Sequence, residues 1–165
     1  NGKGKTTAAL GLAFRAVGRG FKVIMVQFLK NMYTGELSSS ERFEDKFKIV
    51  RIGRTDKFTW DLNEDEKQEL RDRVQDEIKF IFGILKDEAT DILILDEIMG
   101  AMHGGFITED QVRQMIDAKP DSMELVLTGR NVPESIFDKA DLVTEMKPLK
   151  HYIDRGVPAR DGIER

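Results

Sequence analysis

At 165 residues, with 26 basic against 30 acidic side chains and a net charge of -4, the chain suits one domain with a real core, and its interspersed charges offer no basic face for a nucleic-acid motor. The absence of cysteine excludes disulfides and thiolate metal sites, and two histidines, His103 and His151, argue against a zinc site. Apolar runs stop short of the ~20 residues that span a bilayer and the visible start carries no signal-peptide pattern, so cytoplasm, with no membrane partner, is the expected setting.

The chain opens on Asn1-Gly2-Lys3-Gly4-Lys5-Thr6-Thr7, the end of a G-x-x-x-x-G-K-[ST] phosphate loop. Glycines let backbone N–H groups turn toward phosphate oxygens, Lys5 can reach the terminal phosphates, and the Thr6 hydroxyl can bind a magnesium ion. Helix-forming residues follow from Ala8 to Val17, so a helix N-terminus faces the same anion, and the helix should stop at Gly18 or Gly20. The first loop position and the apolar strand that should feed the loop are not in this sequence, and the chain reads as trimmed at its start. A glycine-rich turn before a helix would look the same locally; the acids farther along argue for the phosphate loop.

Val23-Ile24-Met25-Val26 reads as a strand buried on both faces, which implies a parallel sheet. Residues 30 to 46 predict a loop and short helix, and residues 48 to 52 a weaker strand ended by Gly53. The next loop holds Phe58 and Trp60. Taken alone, these aromatics read as plugs tucked onto the core; the alternative is a flat apolar surface for a planar ligand. Asn63 and Glu66 resemble a capping box, and Leu70, Val74, Ile78, Ile81, Phe82 and Leu85 predict a long amphipathic helix over about 64 to 88. Ile92-Leu93-Ile94-Leu95-Asp96-Glu97 is a buried strand delivering two carboxylates at its C-terminal edge, the Walker B pattern, with both acids expected to face the ligand crevice. A helix from Thr108 ends before Pro120, and Leu125-Val126-Leu127 is a strand that emerges at Thr128-Gly129-Arg130. Arg130 is either a surface cation or a phosphate clamp at the edge that carries Asp96. A short helix over about 133 to 138 leads to Leu142-Val143-Thr144, and a tail rich in glycine and proline follows. Strands alternating with helices predict one α/β domain with a mainly parallel sheet and helices on both faces.

Several stretches in order, among them Asn1 to Ala9, Arg15-Ala16-Val17-Gly18, Val26-Gln27-Phe28, Gly35-Glu36, Phe58-Thr59-Trp60, Leu95-Asp96-Glu97, Thr128-Gly129-Arg130 and Gly156 to Glu164, resemble the P-loop type of corrinoid (cob(I)alamin) adenosyltransferase. The resemblance spans essentially the whole chain, with Lys57 standing where the family usually has glycine. It implies a RecA-like fold, likeness to homodimers, and transfer of the adenosyl group of ATP to Co(I) of cobalamin or a precursor corrinoid, with release of triphosphate. It implies ATP bound in reversed sense, cradled by Asn1, Gly2, Lys3, Gly4, Lys5, Thr6 and Thr7, with Arg15 near the nucleoside and Arg130 as a further ATP contact. Thr6, Glu97 and Asp96 would hold Mg2+ (or Mn2+), Phe58 and Trp60 would face the corrin, and a reductase would supply electrons. Lys5, Thr6 and Glu97 are the residues expected to carry catalysis.

The chemistry agrees with that implication: Co(I) is a strong nucleophile, so the protein need not supply one, and no Ser-His pair or cysteine offers itself. The competing reading is a RecA-like ATPase in which Glu97 orients water and the products are ADP and phosphate. A third is a nucleotide-binding regulatory module without chemistry, which gives the aromatics no purpose.

Overall fold

Alternation of side chains along apolar strands decides the layers of the molecule. In the computed structural model, which describes residues 2–57, 59–87 and 89–164, strands β1 (Val23–Phe28), β2 (Phe47–Ile52), β3 (Ile92–Asp96) and β4 (Glu124–Leu127) form one parallel sheet in the order β2-β1-β3-β4. Val23, Met25, Ile92 and Ile94 meet Ala9, Ala13 and Ala16 of helix α1 (Lys5–Val17), whose small side chains let it lie close to the sheet. Their neighbours Val26, Phe28, Leu93 and Leu95 face the other way, onto Leu70, Val74, Ile78, Ile81 and Leu85 of a long helix, α3 (Glu64–Lys86), that follows the short α2 (Gly35–Glu41). Helices therefore cover both faces, as the continuous apolar strands require.

The long helix begins as its residues predict. Asn63 Oδ1 accepts from the Glu66 N–H at 2.9 Å and the Asn63 N–H donates to Glu66 Oε2 at 2.9 Å, a complete capping box. The same device, Thr108 with Gln111, starts α5 (Glu109–Asp117), and Val112 and Met115 fix α5 to the core. Helix α1 starts earlier than its apolar residues alone suggest, at Lys5, because Gly4 adopts φ 109 and turns the loop directly into the first helical turn. It ends at Gly18, and Gly20 at φ 86 carries the chain into β1.

One feature differs from the sequence expectation. The acids of β3 run at once into a six-residue helix, α4 (Ile98–His103), in a glycine-rich stretch for which no helix was expected. Leu142-Val143-Thr144, beyond α6 (Glu134–Phe137), pairs with no strand among the described residues, and Leu142 is 85% exposed. Among those residues the outer edge of β4 is also without a neighbouring strand. None of the described helices is long and apolar enough to cross a membrane.

Register places the chemistry. Gln27 stands opposite Asp96 and Leu95 opposite Leu127, and the Thr128 N–H extends the ladder to Leu95 O at 3.1 Å. The C-terminal ends of β1, β3 and β4 thus finish along one edge, the side of a parallel sheet where ligands bind.

Candidate functional site

Three hydroxyl and carboxylate groups from distant parts of the chain meet at that edge. Asp96 is fully buried; its Oδ1 accepts from Thr6 Oγ1 at 2.9 Å and from Thr128 Oγ1 at 2.7 Å. Thr128 Oγ1 also accepts the Glu97 N–H at 3.0 Å. The phosphate loop, the acid-bearing strand and the end of β4 are therefore tied through one carboxylate. Thr6 gives its hydroxyl proton to Asp96, so the lone pairs of Oγ1 are directed elsewhere, available to a cation. The second oxygen, Asp96 Oδ2, is buried without a hydrogen bond, while the Lys30 ammonium lies 2.9 Å away, off the direction of one. A hydroxyl oxygen and a buried carboxylate oxygen are hard oxygen donors of the kind Mg2+ takes, so the residues present fit such an ion.

Glu97 differs from Asp96 although the two are adjacent. It sits at φ 62, a left-handed conformation uncommon for a residue with a side chain, and is partly exposed. This turn starts α4, and the carboxylate lies over Gly100, where an added Cβ would approach Glu97 Cγ and Oε1 at 3.1 Å. Of the two predicted acids, then, one is buried and pinned by threonines and the other stands at a strained turn beside it. Thr128 received no role from the sequence; its only signal was a threonine directly after an apolar strand.

A second polar group lies alongside. Gln27, fully buried on β1, donates to Glu36 Oε1 at 2.9 Å and accepts from Arg51 Nε at 3.0 Å. Arg51 also donates to Met32 O at 2.7 Å and Thr34 Oγ1 at 2.8 Å, which fixes the turn into α2. Burial works to raise the Glu36 carboxyl, but hydrogen bonds from Gln27, Thr34 and its own backbone, with the Lys30 charge, outweigh it and hold the group below the usual carboxylate range. Neither Lys30 nor Arg51 was singled out in the sequence, where Lys30 is one charge after an apolar run and Arg51 one charge within a weaker strand.

The remaining loop residues are held by contacts within the chain. Lys5 Nζ donates to Gly2 O at 2.9 Å, across the loop itself. Lys3 Nζ meets Glu164 Oε1 at 2.6 Å and lies 5.7 Å from the Tyr152 ring centre, so the tail closes against the loop. Gly2 is required there, since its N–H donates to Met146 O at 2.6 Å and a Cβ would fall 2.6 Å from the same oxygen. Thr7 and Arg15 are exposed on α1, Arg15 ten residues beyond Lys5 and so about 15 Å along the axis. Arg130 is exposed two residues past Thr128. Asn1 and Phe58, expected at the ATP and corrin positions, lie outside the described residues.

Trp60 is not the core plug that the loop aromatics read as when taken alone. It belongs to a single turn of 3-10 helix, Thr59–Asp61, and is 74% exposed. The turn is held from below: the Asn31 amide donates to Lys57 O at 2.7 Å, and Lys57 pairs with Glu66 at the start of α3. Lys57 anchors a loop where a glycine would only allow bending.

Comparison with known proteins points the same way. A family model described as ATP:corrinoid adenosyltransferase BtuR/CobO/CobP matches residues 1–165. The chain is similar to the corrinoid adenosyltransferase of Escherichia coli (strain K12), 37% identical over 166 residues, covering 99% of this chain and 81% of that one. It is 35% identical over 167 residues to the corrinoid adenosyltransferase CobA of Salmonella typhimurium (strain LT2), covering 99% and 81%. The corresponding enzyme of Pseudomonas aeruginosa is 34% identical over 165 residues, covering 99% and 79%.

Proposed function

The chain belongs to the ATP:corrinoid adenosyltransferase family, and from that premise we propose how its own residues transfer the 5′-deoxyadenosyl group of ATP to the cobalt of a reduced corrinoid. The observation that carries the proposal is the Thr6–Asp96–Thr128 connection, which rigidly joins the phosphate loop to the acids at the sheet edge. The Co(I) electron pair forms the cobalt–C5′ bond as the C5′–oxygen bond breaks, and its electrons leave with triphosphate. The protein's task is to align these atoms and to stabilise the leaving anion.

Backbone N–H groups of Lys3 to Thr7 and the start of α1 bind the triphosphate while Gly2, its own N–H given to Met146 O, holds the loop in place, and Lys5 swings from Gly2 O onto the anion, exchanging a neutral acceptor for an anionic one. Thr6, Glu97 and Asp96 would hold Mg2+ or Mn2+, which when bound would supply positive charge against the phosphates. Arg15 and Arg130 complete the nucleotide contacts. Asn1 joins the loop and Phe58 the corrin contact by family likeness. Exposed Trp60 offers its ring to the corrin face, and an apolar ring there would displace the lower axial ligand so that Co(II) becomes reducible. An electron-donating reductase, a homodimeric assembly and a cytoplasmic location complete the proposal.

The test is incubation with ATP, magnesium and chemically reduced cobalamin. Inorganic triphosphate should form in step with a light-sensitive cobalt–carbon bond. ADP formed as the main product without corrinoid would overturn the assignment.

A further inference from the structure

The assignments above use Lys5 as the phosphate-binding lysine and leave Lys30 without a role. Lys30 lies two residues past the end of β1, after Leu29 at φ 55. Its ammonium stands 2.9 Å from Asp96 Oδ2 and 3.7 Å from Glu36 Oε1, and its side chain is 25% exposed. Asp96 gives its other oxygen to Thr6 of the phosphate loop, so Lys30 is one carboxylate away from that loop. An ammonium has three donors, and two carboxylates engage at most two of them.

Charge supplies the reason for a cation here. A polyphosphate seated on the loop comes beside Asp96, Glu97 and Glu36, and Glu36 is held ionised by its hydrogen bonds. Like charges this close oppose binding unless a positive charge stands among them. Lys30 occupies that position, on a four-carbon stem that can pivot toward the anion while staying near both acids.

We propose that Lys30 is a second phosphate-binding lysine of this site, poised on Asp96 and Glu36 and directing a donor to the triphosphate as it leaves. The inference rests on the phosphate-loop reading above. A lysine that served only as counter-ion to buried Asp96 would instead act through stability and would affect every ligand alike.

The experiment is calorimetric binding of inorganic tripolyphosphate and, separately, of adenosine to the full chain as wild type, Lys30→Met and Lys30→Arg, each with and without magnesium. Lys30→Met should weaken tripolyphosphate binding on the order of tenfold in both conditions, leave adenosine unchanged, and be largely rescued by Lys30→Arg. Wild-type affinity for tripolyphosphate in Lys30→Met, or a loss seen only with magnesium, would overturn the proposal. Equal weakening of adenosine together with a lowered Tm would assign Lys30 to structure alone and overturn it too. A wild type that fails to bind tripolyphosphate would overturn the phosphate-loop reading and this one together, which sets that result apart from the others.

Discussion

Lys5, Thr128 and Trp60 are single side chains whose surroundings give different expected outcomes. Lys5→Ala removes a charged donor at the point where negative charge accumulates on the leaving group, so kcat/KM for adenosylation should fall by the equivalent of about 2 to 4 kcal/mol. Near-normal turnover at saturating ATP would show that the loop does not act this way. Thr128 serves the fold as much as the site, since it donates to Asp96 and accepts from the Glu97 N–H. Thr128→Val would leave a buried carboxylate and a backbone N–H short of partners, a loss of about 1 to 3 kcal/mol in a denaturant titration, whereas Thr128→Ser should recover most of it. Trp60 is 74% exposed, so Trp60→Ala should leave Tm and ATP affinity nearly unchanged. It should slow adenosylation that starts from Co(II), and much of the loss should vanish when Co(I) is prepared chemically. Burial of the ring on the corrin is worth roughly 1.5 to 3 kcal/mol if complete. Parallel loss of ATP binding in this variant would remove the corrin assignment.

At the scale of elements, the tail and the phosphate loop form one closed contact. Glu164 is held well below the ordinary carboxylate range, first by Arg160 and then by Lys3, while Arg160 is raised, first by Glu164. Arg160 also lies 4.6 Å from the Tyr152 ring centre, in the turn Tyr152–Arg155. A carboxyl lowered in the folded state contributes its stability above the ordinary value of 4.5 and loses it as the pH falls through the lower folded value. Hydrogen-exchange protection across residues 151–164, taken relative to the intrinsic exchange rate at each pH, should therefore be alike at pH 7 and at 4.5 and fall only in stronger acid. Glu164→Gln should exchange faster already at pH 7, and equal protection in the two proteins would count against the contact.

At the scale of the whole molecule, apolar packing holds the described framework together. Its two apolar clusters pack on opposite sheet faces, and no group of three or more histidine or acidic residues able to hold a metal occurs among the described residues. Chelation of divalent ions should therefore abolish adenosylation while leaving the circular dichroism spectrum and Tm close to their starting values, with activity restored by Mg2+ or Mn2+. A fold that melts on chelation would place a structural ion where none is proposed. Resistance of the reaction itself to chelation would remove the divalent ion from the proposal.

Local patterns determined the α/β class, the phosphate loop, the capped α3 and the acids ending β3, because each depends on near neighbours: a glycine turn, a period of two or 3.6 residues, a cap three positions from its partner. The tertiary structure alone decided what those acids do. Asp96 meets Thr6 across 90 residues because α1 packs on β3, and Thr128 across 32 because β4 pairs with β3, placements that no local period encodes. The same holds for Lys30, whose partner Asp96 comes from a neighbouring strand, and for Trp60, whose exposure depends on what the rest of the chain fails to cover. Sequence spacing sets which face a side chain takes within its own element; long-range strand pairing sets which side chains it meets.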